Sequence, residues 1–308
     1  MYSRDIEYIL AIYEHGGITK AAEKLFLTQP ALSRYLITLE KRLDEQIFDR
    51  SANPMALTPY GEAYVDVALR MRNLQRDLEA RQMDLNGLKF GRVKVGIPAF
   101  RGEFYLPILL PAFKALYPKI DFEIEVGSSL SLEESVLKGK VDFIIVNGPL
   151  QTDPDALHVE TITQEVLSVA TPPGLLPEKG NPYTFEYLRS RVDLNGQDYI
   201  LLQPEQRLRQ LADAILAKHA IRPKSILAVS SLTIAENLVA SGMGLTIANR
   251  IAQKKNLFTA MPDEYSLGED HILNVIVAWR NSAYLSLAAK EFIKLVFRKF
   301  GTGAAPFD

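Results

Sequence analysis

The chain has 308 residues, 47% of them hydrophobic and 23% charged, and a formal net charge of −2. This describes a soluble globular chain of two or three domains; it contains no cysteine, which excludes disulfides, thiolate metal sites and thiol redox switches. No uncharged apolar run approaches the roughly 20 residues needed to span a bilayer. The first residues, Met1-Tyr2-Ser3-Arg4-Asp5, are not basic and lead into no continuous apolar core, so no signal peptide is expected.

Residues 16–58 are the most informative stretch. Gly16-Gly17-Ile18-Thr19-Lys20-Ala21-Ala22-Glu23-Lys24-Leu25 predicts a short helix with Thr19 as N-cap and Ala21, Ala22 and Leu25 on one face. Phe26-Leu27-Thr28 interrupts it, and Pro30 suits the first turn of a second helix, where a missing N–H is harmless. That helix shows Ala31, Leu32, Leu36, Leu39 and Leu43 on one face and Gln29, Ser33, Arg34, Tyr35, Thr38 and Lys41 on the other. Two short helices joined by a tight turn, the second polar on its outer face, fit a DNA major groove. Spacing alone leaves a plain helical hairpin open.

The joint pattern is more specific. Ala21-Ala22, Leu25, Thr28 to Arg34, Leu39-Glu40, Leu43, Ile47-Phe48, Arg50, Leu57-Thr58 and Gly61 resemble the winged helix-turn-helix of LysR-type transcriptional regulators. The resemblance implies a DNA-binding domain at 1–60 whose partner is double-stranded promoter DNA. Gln29, Ser33 and Arg34 would then meet base edges and phosphates, with Thr28 and Thr38 on backbone oxygens and Arg50 anchoring the wing. Pro30, Tyr35 and Lys41 complete the candidate DNA-binding set. Two departures stand out: Asp44 replaces the usual turn glycine, and the wing Arg50-Ser51-Ala52-Asn53-Pro54-Met55 keeps a single arginine. Residues 1–90 hold 12 Lys and Arg against 13 Asp and Glu. A positive face would need Lys20, Lys24, Arg34, Lys41, Arg42 and Arg50 to converge. Phosphate neutralisation supplies most non-specific affinity, so a monomer is expected to bind poorly.

From Thr58 to about Lys89 one helix is predicted. Tyr64, Val67, Met71, Leu74, Leu78, Arg81, Leu85 and Leu88 recur at alternating steps of three and four, a heptad repeat broken at Arg81. Such a helix would be about 45 Å long, more than a small domain needs. Asn86-Gly87 marks its end. Val67, Met71, Leu74, Leu78 and Leu85 are the candidate dimerisation residues. In the resembled family, segment 58–89 is the linker helix that pairs two subunits. The resemblance further implies a homotetramer built from two such homodimers.

After Gly91 short Val/Ile-rich strands alternate with helices, which predicts an α/β region with a parallel, doubly wound sheet. Strands are expected at 92–97, 120–126, 141–146, 165–170, 199–202, 225–229, 244–248 and 272–279. Helices are expected at 105–117 (begun near Pro107), 130–138, 208–219, 232–241 and 285–300. Its length suggests two lobes. Residues 94–127, 137–149 and 229–249 resemble LysR-type effector domains, which are similar to periplasmic solute-binding proteins. The resemblance implies an effector-binding domain at 91–308, with lobe I at 91–163 and 268–308 and lobe II at 164–267. The chain would cross between lobes near 161–166 and 264–271, and a small-molecule effector would sit in the cleft.

Open α/β sheets bind ligands beyond the carboxyl ends of their strands. Those ends supply the candidate effector residues Ala99, Phe100, Arg101, Ser128, Ser129, Leu130, Asn147, Gln203, Ser230, Ser231 and Thr233. Ser129, Ser231 and Thr233 fall at helix starts, where free N–H groups favour an anion; simple helix capping explains any one of them equally well. Arg101 could pair with a carboxylate or sulfate held by Ser128, Ser129 and Ser231, or point to solvent as most arginines do. Relatives carry serine or threonine near 100–102, and Phe100-Arg101-Gly102 departs from that pattern.

A ligand-responsive regulator acting in the cytoplasm explains all three segments, and RNA polymerase is a further partner such a regulator would meet. A solute-binding protein without gene-regulatory role would explain only the last segment. An enzyme is not expected: there is no GxGxxG after a strand, no Walker A, no GxSxG and no HExxH. No cofactor or metal is expected, since His15, His158, His219 and His271 lack ligand spacing.

Overall fold

The computed structural model describes residues 3–49, 51, 55–85, 87–176, 183–249 and 261–307. Arg50 and residues 52–54 of the expected wing, and Asn86, lie outside the described residues. The chain divides into a unit of residues Met1–Gln82 and a unit of Met83–Asp308.

In the first unit α1 (Ser3–His15), α2 (Ile18–Lys24) and α3 (Gln29–Leu43) precede a two-stranded antiparallel wing, β1 (Phe48–Asp49) and β2 (Ala56–Leu57). The N-cap of α2 is Gly17, not Thr19. Gly16 takes a left-handed φ of +68°, and the Gly17 N–H closes onto the Ile12 carbonyl at 3.2 Å, so α2 begins immediately at Ile18. Asp44 ends α3 at φ +55°, a conformation that Asp tolerates better than most residues and that fits the glycine it replaces. Ile9, Ile12, Ala21, Ala22, Leu32, Leu36, Leu39 and Ile47 form the core. Glu40 is buried at 7% exposure because its carboxylate accepts the Ile47 and Phe48 N–H groups at 2.9 and 3.3 Å, stitching the end of α3 to the wing.

Helix α4 (Pro59–Asp84) starts with Pro59 in its first position and Thr58 as cap, whose hydroxyl accepts the Gly61 N–H at 2.9 Å. Tyr64, Val65 and Ala68 pack into the core of the first unit, and Arg72 pairs with Glu14 of α1 at 3.0 Å. Beyond them Val67, Met71, Leu74 and Leu78 are exposed, Leu74 and Leu78 by 68% and 66%. The helix has 26 residues, about 39 Å, and stops short of Lys89. Leu85 therefore lies in a turn beyond it, followed by a 3-10 turn at Gly87–Lys89.

The second unit runs β3 (Gly91–Ile97), α5 (Ala99–Leu116), β4 (Ile120–Val126), α6 (Ser129–Leu137), β5 (Phe143–Asn147), β6 (Leu157–Thr171), α7 (Phe185–Arg191), β7 (Asp198–Leu202), α8 (Arg207–Lys218), β8 (Ser225–Val229), α9 (Leu232–Ala240), β9 (Thr246–Asn249), β10 (Asp263–Ser266), β11 (Ile272–Arg280) and α10 (Leu287–Phe300). Asp84, the last residue of α4, accepts the Tyr284 hydroxyl and the Leu287 N–H, each at 2.9 Å, which draws the chain out of helix toward the start of α10.

Pairing is mixed, where the sequence predicted a parallel sheet. β3 is parallel to β4 and β5, and β7 to β8, but β11 runs antiparallel to β5 and β6, and β6 antiparallel to β9 and β10. The reason is that β6 and β11 carry the chain between two separate cores in opposite directions. Val93, Val95, Phe113, Phe143, Ile162, Val275 and Phe292 belong to one core, and Leu167, Leu188, Tyr199, Ala235, Ile247 and Leu273 to the other. The chain thus changes lobe between Ile162 and Leu167, and again between Leu273 and Val275. The second crossing comes later than 264–271, because β10 first folds back against β6 with Tyr265 still in the second core. Helix α5 begins at Ala99, not near Pro107: the Gly102 N–H already bonds the Pro98 carbonyl at 2.8 Å. Its interior prolines each delete one backbone bond, while Tyr105, Leu109 and Phe113 bury its face.

Gly61 permits the close approach of α4 to the wing, since a Cβ there would stand 1.9 Å from the Ile47 carbonyl oxygen. Gly61→Ala is expected to destabilise the first unit by about 1–3 kcal/mol through overpacking, read as a lower urea midpoint by circular dichroism; an unchanged midpoint would contradict this packing.

Candidate functional site

The first candidate surface is α3. Thr28, Gln29, Pro30, Arg34, Thr38 and Lys41 are exposed and Ser33 is half-buried, so these side chains share the face opposite Leu32, Leu36 and Leu39. The Thr38 hydroxyl donates to the Arg34 carbonyl at 2.9 Å, which holds it against the helix. Tyr35 does not join this face. Its hydroxyl donates to Asp5 at 2.7 Å and its ring meets Tyr8 edge-on at 4.7 Å. Asp5 is 1% exposed and also takes Arg42 at 2.8 Å, so two residues near the reading face are committed to holding α3 on α1. Burial first, and then the Asp5 hydrogen bond, pushes the Tyr35 hydroxyl up to about 12.

The second candidate lies in the other unit, between its two lobes. A cavity of about 240 Å³ opens where the N-termini of α5, α6, α8 and α9 meet. Of the expected effector residues, Ala99, Phe100, Arg101, Ser128, Ser129, Asn147, Ser230 and Ser231 line it. Leu130, Gln203 and Thr233 do not. Leu130, in the first turn of α6, is 44% exposed, the Gln203 N–H is taken by the Gln206 side chain at 3.1 Å, and the Thr233 hydroxyl donates to Glu103 of α5. The candidate set left out Pro98, Gly127, Leu202 and Leu232, which lie in the same strand-end segments, and those segments gave no sign of Val126, Gln206, Arg207, Leu208 and Asn249. These last sit at the start of a helix or on a strand facing the gap; extending the strand-end rule through the first helical turn would have found Gln206, Arg207 and Leu208.

Arg101 requires a correction. It neither points to solvent nor offers its guanidinium to a ligand: it is 2% exposed and grips Glu165 of β6 bidentately at 2.9 and 3.1 Å. It also donates to Asn147, while Asn249 of β9 donates to the same Glu165 carboxylate. Burial opposes the charge on Arg101, and the Glu165 pair outweighs it, so the guanidinium is held above its ordinary pKa. Residues from both lobes thus share one charge-neutral network at the cavity floor. Phe100 packs against the second core and Thr233 reaches Glu103, so the lobes also touch beside the cavity. Arg207 is different: it opens α8, its Nε is buried without a hydrogen-bond partner, and burial lowers its pKa, partly opposed by Glu133. Ser231 occupies the cap position of α9, but its hydroxyl makes no capping bond.

Among the described residues no group of histidines and acids could hold a metal, and no helix is long and apolar enough to cross a membrane. A reading helix on one unit and a ligand-sized cleft on the other define a ligand-sensing regulator of transcription. Family models match both parts: a bacterial regulatory helix-turn-helix of the lysR family over residues 3–62 and a LysR substrate binding domain over 86–301. The chain belongs to the LysR family of transcriptional regulators, and it is a regulator rather than an enzyme. It is 26% identical over 257 residues to the HTH-type transcriptional regulator CysL of Bacillus subtilis, covering 83% of each chain. It is 27% identical over 292 residues to a probable RuBisCO transcriptional regulator of Cyanidium caldarium, covering 93% of this chain and 90% of that one. Its fold matches a full-length OxyR variant from Pseudomonas aeruginosa with a TM-score of 0.70 at 22% identity over 99% of both chains. CbnR in complex with its target DNA matches with a TM-score of 0.61 at 20% identity, covering 97% of this chain and 99% of that one.

Tyr35→Phe is expected to lower the stability of the first unit by about 1.5 kcal/mol, the worth of a hydrogen bond to a charged acceptor at its low end, and to leave DNA affinity unchanged. Because folding raises its pKa, the Tyr35 contribution is fully present below the ordinary tyrosine value and fades as pH rises through about 12. Urea midpoints across that range, compared between the two proteins, check the sign.

Proposed function

We propose that this regulator reads an interrupted palindrome in promoter DNA as a homodimer paired through α4, and that a small anion in the inter-lobe cavity sets its activity. Thr28, Gln29, Pro30, Ser33, Arg34, Thr38 and Lys41 make the DNA contact, with Arg50 in the wing. Residues 1–60 are the DNA-binding domain, 58–89 the pairing segment and 91–308 the effector domain. Val67, Met71, Leu74 and Leu78 supply the pairing face, continued by Leu85 in the turn, and two dimers assemble into a homotetramer in the cytoplasm. A solute-binding role without gene regulation leaves the reading helix unexplained and is not favoured.

One observation carries the DNA half: α3 keeps an exposed polar row, Gln29, Arg34, Thr38 and Lys41, while its other charged neighbours, Glu40 and Arg42, are engaged in holding the fold. The anion half rests on a cavity with no acidic side chain in its lining and four helix N-termini around it. The test is fluorescence anisotropy with DNA from upstream of the protein's own gene, at matched salt. Arg34→Ala is expected to lose about 1–3 kcal/mol of binding; equal affinity for wild type and variant would contradict the assignment of α3.

A further inference from the structure

We infer that Arg207, not Arg101, takes the charge of the effector, and that the effector is a small monocarboxylate. This rests on the reading of the cavity as an anion site. Two guanidinium groups line that cavity, and they differ in one respect. Arg101 is neutralised by Glu165, with both carboxylate oxygens already used. Arg207 has a buried Nε with no partner and no described carboxylate within ion-pair distance; Glu133, whose charge acts on it, gives one oxygen to the Gln151 and Thr152 N–H groups at 2.8 and 2.9 Å and keeps the other buried without a partner.

A guanidinium half-withdrawn from water, with no ion-pair partner, gains most from a partner that is both acceptor and anion. The surroundings favour the same sign, because Arg207 opens α8 and lines the cavity together with the start of α9, where the Ser231 hydroxyl makes no cap. One guanidinium without an ion pair, on which the Glu133 charge already acts, suits one negative charge better than two, which favours a monocarboxylate over a divalent oxoanion. The rest of the wall combines apolar surface from Phe100, Val126, Leu208 and Leu232 with the serines at 128, 129, 230 and 231 and the amides of Gln206 and Asn249, so it accommodates a short carbon body that can also take hydrogen bonds. The volume of about 240 Å³ lies just below the usual range of ligand cavities and limits the body to a small one.

The experiment is calorimetric titration of the full-length protein with acetate, butyrate, benzoate, sulfate and phosphate, and with butyramide and benzamide as uncharged counterparts. It is repeated on Arg207→Gln and Arg207→Lys, each first checked by its melting curve. The expected result is binding of a monocarboxylate but not its amide, weakened about 10- to 100-fold by Arg207→Gln, the usual worth of a hydrogen bond to a charged group, and largely restored by Arg207→Lys. Undiminished carboxylate binding by Arg207→Gln overturns the role of Arg207 and leaves the anion reading standing. Sulfate or phosphate binding more tightly than every monocarboxylate overturns the ligand class. Equal binding of the amides, or no binding of any anion by the wild type, overturns the anion reading and this inference together, while the DNA assay stands apart.

Discussion

The bidentate pair between Arg101 and Glu165 is the interaction around which the effector domain is arranged. It lies where β6 passes from one core to the other, and it joins an α5 residue of one lobe to the crossing strand at 2.9 and 3.1 Å. Asn147 and Asn249 extend the network to β5 and β9, one in each lobe. Removing either partner would leave an uncompensated buried charge, at a cost of about 3–5 kcal/mol. A buried pair is poor evidence of net stability against an apolar alternative; its significance here is geometric, because a forked guanidinium and a carboxylate specify one relative placement of the groups that carry them.

Neutralising Arg101 also decides the electrostatics of the cavity above it. With that charge cancelled and no acid in the lining, the helix N-termini and Arg207 are left to set the potential. Closing contacts at Phe100 and between Thr233 and Glu103 surround the same space, so anything bound there touches both lobes. A ligand that binds one lobe arrangement better than another shifts the balance between them by its differential affinity alone. The effector domain is in turn fastened to the end of α4, where Asp84 binds Tyr284 and the first N–H of α10.

Much of this was legible in the sequence, for identifiable reasons. The reading helix was clear because Leu32, Leu36 and Leu39 repeat at helical spacing and Pro30 marks its start. The strands β4 and β8 were found to the residue, since runs such as Ile120–Val126 and Ser225–Val229 are bounded by turn residues. What escaped depends on partners far away in sequence. Tyr35 sits on the polar side of a helical wheel, and only Asp5, thirty residues earlier, turns it inward. Arg101 looked available because Glu165 is 64 residues away. The four-residue strand β10 and the seven-residue helix α7 were too short to show a period, and the antiparallel course of β6 and β11 is a property of topology rather than of local pattern.

If the Arg101–Glu165–Asn249 network holds the two lobes in one arrangement, breaking it must loosen the distance between them. The absence of cysteine allows this to be tested by placing two spin labels, at Ala115→Cys on α5 and Ala214→Cys on α8, both exposed positions in different lobes. Pulsed electron–electron resonance on labelled chain diluted with unlabelled chain then gives the distance within one protomer. A single narrow distance is expected with Glu165 in place, and a broader or longer distribution in Glu165→Gln. An identical narrow distribution in both proteins would show that the lobes are held by something else.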